Sequence, residues 1–431
     1  MTDSEKFDKP MMSDETILLV TPFEDCSYRL SSHMSDYVKV IYPVDQNWHK
    51  PLQRIFSKVI IYDYIKRICE IGVKSVNGEI IDLVKREHPK YMFWLPSHRE
   101  FRETTFDTIR GEGTITIAWF GDDCFRFDYF KWYIPYLDYC VAYDIEAIPK
   151  YMELGARVIY TLPSVGIPIE RDWSNMEERY EVTFVGSRTA DRERYINELK
   201  SRKVSLGLWG QGWGSDVFCV SSEEMIDIFA SSKINLNFSW FELASKMIMR
   251  GRIWEVCLAG GFLLTEYFPG IENYFEIDRE IVCFKNAKEM IDKIDYYLTH
   301  EAERRAIAKA GWERAARQYT SLQMLSEIFR QIKDDIAVNP KMGNRHNQKL
   351  KLPIQGRMQF SGTYLRWGMG FLLANNKALW KDALSLSFSY NPLNIIGWGG
   401  YIISFLPSFM CSALIELFIK LYKLLGLQLK V

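Results

Sequence analysis

Arg252 and Glu255 are the pair of residues whose types and spacing first suggest chemistry. They stand three positions apart in the segment "GRIWEVCLAGGFLLTEY", which begins at Gly251. On a helix this spacing brings both side chains to one face. A carboxylate there can accept both hydroxyls of a ribose, while the cation and the helix start suit a phosphate. The alternative is a surface ion pair on a helix that ends at Gly260 and Gly261.

A second basic segment, "GSRTADRER", follows a predicted strand. Gly186 and Ser187 could present backbone N–H groups to a phosphate, and Arg188 or Arg192 could supply positive charge. The segment lacks the Gly-Lys-Ser/Thr ending of a Walker loop. It is equally consistent with the solvated basic start of a helix.

Two further residues complete the candidate phosphate-binding set. Gly210 lies in "WGQGW", where glycine allows either a tight turn or a close approach of backbone to a ligand. Lys246 stands six residues before Arg252 and is another candidate partner for a phosphate.

Adjacent carboxylates follow a predicted strand in the N-terminal half of the chain. Asp122 and Asp123 come just after "GTITIAWF". A carboxylate at a strand end can take a proton from a substrate hydroxyl, and burial that raises its pKa would help. Paired Asp residues also bind divalent metals or form turns. The sequence leaves these roles open.

The elements that must position these residues follow a regular pattern. Short apolar segments alternate with helix-length amphipathic ones from about residue 16 to 320, which predicts parallel strands joined by helices. The irregular segment 166–180 divides the pattern, so we expect two doubly wound domains, 15–165 and 181–330. If they face each other, the carboxyl ends of both sheets border one cleft, where ligands of open α/β sheets bind. This architecture favours a nucleotide or nucleotide-sugar ligand.

Composition narrows the class of protein. The chain has 431 residues, a net charge of −1 and 8 cysteines without metal-ligand spacing, which predicts no nucleic-acid partner, metal site or disulfide framework. Residues 1–14 are polar and acidic, unlike a signal peptide, so we expect a disordered lead-in. These features together predict a cytoplasmic protein.

The C-terminal segment 331–431 breaks the alternation. We expect a basic linker followed by a hydrophobic helical appendage. Residues 393–415 contain no charged residue, and the segment that follows is amphipathic. Residues 393–425 therefore predict contact with the inner membrane surface; a buried or oligomerising appendage and a true membrane span are the alternatives.

Several of these segments together resemble the motifs of group 1 glycosyltransferases, in the branch similar to CgeB spore-maturation proteins. "RIWEVCLAGGFLLT" is similar to the signature R-x-F-E-x-x-A-C-G-G-x-L-L-T. "FVGS" with its following arginine and "WGQGW" are similar to the F-x-G-x(n)-R and Y-G-x-G-W elements, and "AWFGDD" to the N-terminal W-F-x-D-D. The ordered set spans about residues 16 to 320.

The resemblance implies a GT-B fold that binds a nucleotide-activated sugar in its C-terminal half, with Glu255 holding the donor ribose. It also implies that no metal or other cofactor is required. One position departs from the family. Many group 1 enzymes carry a second Glu eight residues earlier, where this chain has Met247.

We therefore expect a glycosyltransferase that moves a sugar from a nucleoside-diphosphate donor to a hydroxyl of a glycan or lipid-linked acceptor. Surface polysaccharide or lipopolysaccharide assembly at the cytoplasmic membrane face is the expected pathway. A non-catalytic GT-B module that binds nucleotide sugar or glycan is one alternative, and a nucleotide-sugar epimerase of the same fold is another.

Overall fold

The computed structural model contains two parallel β-sheets, each covered by helices. It describes residues 12–23, 44–162, 166–202, 204–213, 220, 222–242, 244–339, 352–373 and 376–392. The prediction of two doubly wound, Rossmann-like domains is confirmed.

The N-terminal sheet has six parallel strands in the order β2-β1-β3-β4-β5-β6. Its strands are β1 Met12–Val20, β2 Phe56–Tyr62, β3 Tyr91–Trp94, β4 Ile115–Trp119, β5 Tyr139–Ala142 and β6 Val158–Tyr160. The apolar segments of the sequence predict five of these strands, at 16–20, 91–95, 113–120, 137–143 and 156–163, but not β2. Strand β2 lies at the edge of the sheet and follows a helix without an intervening turn. The sequence therefore contains no turn residue that indicates where this strand begins.

The C-terminal sheet has five parallel strands in the order β13-β12-β9-β7-β8, and a separate antiparallel hairpin joins β10 and β11. These strands are β7 Tyr180–Val185, β8 Leu206–Trp209, β9 Ser232–Asn237, β10 Trp240–Phe241, β11 Lys246–Met247, β12 Leu263–Glu266 and β13 Val282–Phe284. In both sheets the chain begins next to the centre, runs to one edge, and then returns to fill the other side. This order creates a switch point between β1 and β3 and another between β7 and β9.

Helices connect the strands and close the faces of both sheets. The helices are α1 Lys50–Ile55, α2 Tyr64–Ile71, α3 Ser75–Glu87, α4 Glu103–Gly111, α5 Asp123–Phe130, α6 Ile148–Glu153, α7 Ala190–Lys200, α8 Ser222–Ala230, α9 Gly251–Leu258, α10 Ala287–Thr299, α11 Glu301–Gln318, α12 Ser321–Val338, α13 Ile354–Leu373 and α14 Lys377–Tyr390. Shorter turns of π-helix and 3-10 helix occur at Asp45–His49, Lys131–Tyr136 and Ile271–Asn273.

Helix α12 leads the chain back from the C-terminal domain to the N-terminal one. A capping box between Thr320 and Gln323 starts the helix. Farther along, the ring of Phe329 meets Phe56 of the N-terminal domain edge to face, with centroids 4.8 Å apart. The apolar face of α12 is buried against the first domain. The predicted domain boundary at residue 330 therefore falls inside this helix and does not separate the two domains.

Helices α13 and α14 form a hairpin that packs into the core of the N-terminal domain. The ring of Trp380 is completely buried, and the Tyr364 hydroxyl donates to the Phe101 carbonyl over 2.9 Å. The guanidinium of Arg99 donates to Gln359 and Thr363 on α13. The expectation that the whole of segment 331–431 is a linker and tail is wrong for this hairpin, since its aromatic side chains complete the first domain.

The predicted membrane-contacting segment, 393–425, lies outside the described residues. Within the part of the chain that the structure does describe, no helix combines the length and apolar character needed to cross a membrane.

Candidate active site

A cavity opens at the carboxyl edge of the C-terminal sheet, beside the switch point between β7 and β9. Its volume is about 410 Å³, within the range of small-molecule sites. Buried side chains form its floor, and longer ones form its walls and mouth. The lining residues are Asp191, Arg192, Arg194, Tyr195, Phe238, Trp240, Met247, Glu266 and Lys285.

Three arginines gather next to this cavity, and we call them the arginine cluster. Arg192 lies in the first turn of α7, Arg250 directly precedes α9, and Arg252 lies in the first turn of α9. Burial, together with the charges of Arg250 and Arg252, lowers the pKa of Arg192 to about 10. Burial also lowers the pKa of Arg250, with Arg252 adding repulsion. The cluster therefore concentrates positive charge at two helix starts, an arrangement suited to an anion.

Arg192 and Arg250 form no ion pair with a carboxylate anywhere in the described chain, and each leaves its buried Nε without a hydrogen-bond partner there. Arg192 donates from Nη1 to the Ser187 carbonyl over 2.8 Å. Arg250 lies over the Phe241 ring at 4.2 Å and donates to the Trp240 carbonyl over 3.3 Å. Both residues are partly buried. Because a guanidinium that is partly removed from water is normally paired, these two suit a negatively charged ligand.

Glu255 lies beside the arginine cluster and is already paired. Its Oε2 is 2.8 Å from Nη1 of Arg252, and the two side chains are 19% and 22% exposed, respectively. The predicted i, i+3 pair is therefore present at the edge of the site. Both side chains can still reach a ligand, because neither is fully buried.

Gly260 and Gly261 lie at the opposite end of α9 from the arginines. Gly260 has a φ of +71° and ends the helix, with its N–H donating to the Cys257 carbonyl. A Cβ on Gly261 would stand 2.6 Å from the Phe229 carbonyl oxygen. The structure thus gives both glycines a packing role at the amino edge of β12 and places them away from the candidate site.

The loop after β7 is closed by backbone hydrogen bonds. The Gly186 N–H donates to the Trp209 carbonyl, and the Arg188 N–H donates to the Gln211 carbonyl, both over 2.8 Å. Gly210 has a φ of +121° and packs closely against Gly186. A Cβ on Gly210 would lie 2.4 Å from the Gly186 carbonyl oxygen. The N–H group expected of Gly186 is therefore taken. Ser187 contributes its carbonyl to Arg192.

Arg188 and Lys246 both bind carboxylates instead of joining the arginine cluster. The Arg188 guanidinium is exposed and donates to Glu193 over 2.6 Å. Lys246 Nζ lies 2.8 Å from Asp144 and 2.6 Å from Glu146, both in the N-terminal domain. The partners that the structure gives these two cations are carboxylates, and their predicted contacts with a phosphate stay predictions.

The two adjacent aspartates have different environments at the carboxyl end of β4. Asp122 has a φ of +60°, is partly exposed, and accepts a hydrogen bond of 3.2 Å from the Tyr143 hydroxyl. Its charge acts on Arg250 across the cleft and raises the pKa of that arginine, against the larger effect of burial. Asp122 is thus close enough to Arg250 for the two charges to interact between the domains.

Asp123 is 1% exposed, and one of its oxygens accepts from the Tyr143 and Asp144 N–H groups. Its other oxygen has no partner in the described chain. Burial, with a smaller contribution from Asp144, raises its pKa to about 8. The raised pKa favours the protonated form at neutral pH, and Asp123 is sealed from solvent in this structure. Asp122, which is partly exposed, is therefore the better placed of the two for contact with a substrate.

Glu266 and Arg250 are site residues that the sequence reasoning missed. Glu266 is 4% exposed, and its Oε2 accepts from the N–H groups of Ser239 and Trp240, each over 2.9 Å. Its Oε1 accepts from the Tyr195 hydroxyl over 3.3 Å. Both positions carried a signal, since Glu266 directly follows the apolar segment 262–265 and Arg250 directly precedes the segment predicted to form a helix with Arg252 and Glu255. No group of three metal-ligating side chains is close enough to hold a metal ion among the described residues.

Known proteins with similar structures were compared with this chain. The protein HepE from Anabaena, in complex with UDP-glucose, is 9% identical, with a TM-score of 0.47 over 74% of this chain and 100% of its own. A glycosyltransferase from Rickettsia africae is 11% identical, with a TM-score of 0.45 over 77% of this chain and 100% of its own. AviGT4, a glycosyltransferase involved in avilamycin A biosynthesis, is 11% identical, with a TM-score of 0.44 over 75% and 98%.

No curated protein matches the chain in sequence. A family model does match, and it covers α7, the cavity, the arginine cluster and Glu255. It agrees with the glycosyltransferase resemblance of the sequence but does not distinguish the CgeB-like branch. Residues 188–330 of this chain match the family described as glycosyl transferase-like.

Proposed function

We propose that the protein transfers a sugar from a nucleoside-diphosphate donor to a hydroxyl group of an acceptor. The observation that carries this proposal is the arginine cluster, in which Arg192 and Arg250 are partly buried and each has a buried Nε without a hydrogen-bond partner in the described chain. A diphosphate supplies the missing negative charge in the geometry that guanidinium groups bind best. The family match over residues 188–330 supports the same class of reaction.

The nucleoside and the sugar lie on opposite sides of the arginine cluster in this proposal. Glu255 accepts hydrogen bonds from the ribose hydroxyls on one side. The cavity lined by Trp240 and Met247 receives the sugar on the other side. Aromatic walls and polar groups at the floor are the usual composition of a small-molecule site.

The transfer step uses groups from both domains. The acceptor oxygen forms a bond to the anomeric carbon, and the bond from that carbon to the diphosphate breaks. Asp122 takes the proton of the acceptor hydroxyl, while Arg192 and Arg250 stabilise the charge on the departing nucleoside diphosphate. These side chains supply the positive charge, so the proposal includes no metal or other cofactor.

Replacing Asp122 with asparagine tests the transfer step. Turnover is measured as release of nucleoside diphosphate from a panel of nucleotide sugars, with water or an added glycan as acceptor. Loss of a general base should lower the rate by at least about a hundredfold. Affinity for the nucleoside diphosphate should stay the same or increase, because a negative charge facing Arg250 is removed. Unchanged turnover would reject the role of Asp122.

Replacing Glu255 with alanine tests the ribose contact. Affinity for a nucleoside diphosphate should fall about ten- to a hundredfold, since a charged hydrogen-bond acceptor is lost. Affinity for inorganic pyrophosphate should not fall, because the change frees Arg252 from its ion pair. If both ligands bind the variant as well as the wild type, Glu255 is only the ion-pair partner of Arg252.

A non-catalytic nucleotide-sugar-binding module is the second candidate, and Met247 favours it. Met247 lines the cavity at the position where many group 1 glycosyltransferases carry a Glu. Nucleoside diphosphates that bind tightly, together with nucleotide sugars that are never turned over, would decide for this candidate.

The acceptor and its location are also part of the proposal. We propose a glycan or lipid-linked acceptor in surface polysaccharide assembly, reached at the cytoplasmic membrane face through residues 393–425, and membership of the CgeB-like branch. The apolar sequence of 393–415 supports the membrane contact. Flotation of the full chain with lipid vesicles, compared with a chain ending at Pro392, checks it; equal flotation would reject it.

A further inference from the structure

A short β-hairpin of the C-terminal domain contacts the N-terminal domain. It consists of strands β10 and β11, which pair Trp240 with Met247 and Phe241 with Lys246, and we call it the bridging hairpin. Lys246 lies 2.8 Å from Asp144 Oδ2 and 2.6 Å from Glu146 Oε2, which belong to the loop after β5. Because Asp144 is 13% exposed and Lys246 is 25% exposed, their ion pair is partly shielded from solvent.

The other end of the bridging hairpin is fixed to the floor of the cavity. Glu266 accepts hydrogen bonds from the N–H groups of Ser239 and Trp240, where the hairpin begins. The Ile248 N–H donates to the Ser239 carbonyl over 2.9 Å and closes the hairpin at its base. One end is thus held by a buried carboxylate of its own domain and the other by carboxylates of the opposite domain.

The bridging hairpin also determines where Arg250 lies. The Arg250 guanidinium lies over the Phe241 ring and donates to the Trp240 carbonyl. Phe241 in turn meets Phe125 of the N-terminal domain edge to face, with ring centroids 4.9 Å apart. Since Trp240 and Met247 line the cavity, a shift of the hairpin would move both the cavity wall and one arginine of the cluster.

We infer that Lys246 is a positioning residue that acts through the bridging hairpin. By binding Asp144 and Glu146 it holds the hairpin against the N-terminal domain. Arg250 and the cavity wall are thereby kept in the position that binds the diphosphate, opposite Asp122. This inference rests on the proposed function, because it assigns the diphosphate to the arginine cluster. Asp144 then supports the binding of an anion by holding Lys246, although the negative charge of Asp144 by itself would weaken that binding.

Pyrophosphate binding to two single variants separates this role from simple attraction of charge. Lys246→Met and Asp144→Asn should each weaken pyrophosphate binding about fivefold, as expected for loss of a partly shielded ion pair. The double variant should bind no more weakly than Lys246→Met alone, because Lys246→Met already removes the contact with Asp144. If Lys246 merely attracts the anion, Asp144→Asn would instead tighten binding by removing a negative charge. Tighter binding by Asp144→Asn would overturn the inference.

Lys58→Met is the control, since Lys58 forms an ion pair of the same length, 2.8 Å, with Glu87 within the N-terminal domain, although that pair is more exposed. It should bind pyrophosphate like the wild type; an equal loss in this control would overturn the inference.

A wild type that binds neither pyrophosphate nor any nucleoside diphosphate would reject the proposed function. Hydrogen exchange of the unliganded protein then decides the positioning role. Peptides that cover Trp240 and Met247 should exchange faster in Lys246→Met and Asp144→Asn than in the wild type or Lys58→Met. Equal exchange would overturn it.

Discussion

Replacing Arg250 with methionine is expected to weaken nucleoside-diphosphate binding about ten- to a hundredfold, because a charge-assisted hydrogen bond to the diphosphate is lost. The ligand-free variant should unfold at the same temperature as the wild type or higher. Burial lowers the pKa of Arg250, and Arg252 repels it, so the arginine is costly until an anion binds. Methionine keeps the aliphatic contact with Phe241 and removes the charge. Titration calorimetry and thermal unfolding of the same samples measure both quantities.

Arg188→Met provides the matched control for this prediction. Arg188 lies in the loop after β7, but its guanidinium is exposed and bound to Glu193. Its loss should change nucleotide affinity by less than about twofold, because an exposed ion pair contributes little. If Arg188→Met lost binding and Arg250→Met kept it, the diphosphate would have to lie on the loop after β7 and not on the arginine cluster.

Replacing Asp123 with asparagine should make the stability of the protein less dependent on pH. Asp123 has a pKa of about 8 in the folded protein and an ordinary value of 3.8. Between these values the unfolded chain loses this proton while the folded protein keeps it, so Asp123 makes the wild type less stable as pH rises from about 4 to 8. Asparagine does not titrate. The variant should therefore gain stability relative to the wild type across this window, by at most about 5 kcal/mol at pH 8.

Denaturant unfolding at pH 4, 6 and 8 checks the prediction for Asp123. The difference in free energy of unfolding should be smallest at pH 4, grow towards pH 8, and level off above it. Equal pH dependence in both proteins would mean that Asp123 is ionised in the fold, and Asp123 would then return as a candidate base beside Asp122.

The sheets could be predicted from the sequence, whereas the returning helices could not. Strands such as β3 and β12 are short apolar segments bounded by turn residues, so their pattern is local. Helix α12 and the hairpin of α13 and α14 are also amphipathic, but nothing local indicates that they cover the N-terminal domain. Phe329 and Trp380 find their partners more than 200 residues earlier in the chain, in Phe56 and in the core of the first domain.

The candidate site residues divide in the same way, into those that a local sequence pattern indicates and those that depend on contacts with distant parts of the chain. Sequence spacing made Arg192, Arg252 and Glu255 candidates, because a helix start with a nearby cation suits an anion and a helix face brings i and i+3 together. It could not distinguish Lys246 from Arg250, since the choice depends on which carboxylates the other domain presents. The sequence also could not show which of the adjacent residues Asp122 and Asp123 is exposed and which is buried. The left-handed backbone of Asp122 keeps one carboxylate at the cleft and directs the next into the core.

The most direct test of the central claim is a calorimetric titration of the wild-type protein with UDP, GDP, ADP, CDP and TDP, repeated with saturating inorganic pyrophosphate. We expect that at least one nucleoside diphosphate binds, that pyrophosphate competes with it, and that affinity falls as salt is raised, because the arginine cluster binds the shared diphosphate. Binding that pyrophosphate does not displace would place the nucleotide elsewhere. Absence of binding by every nucleoside diphosphate and by pyrophosphate would contradict the assignment of the arginine cluster as a diphosphate site.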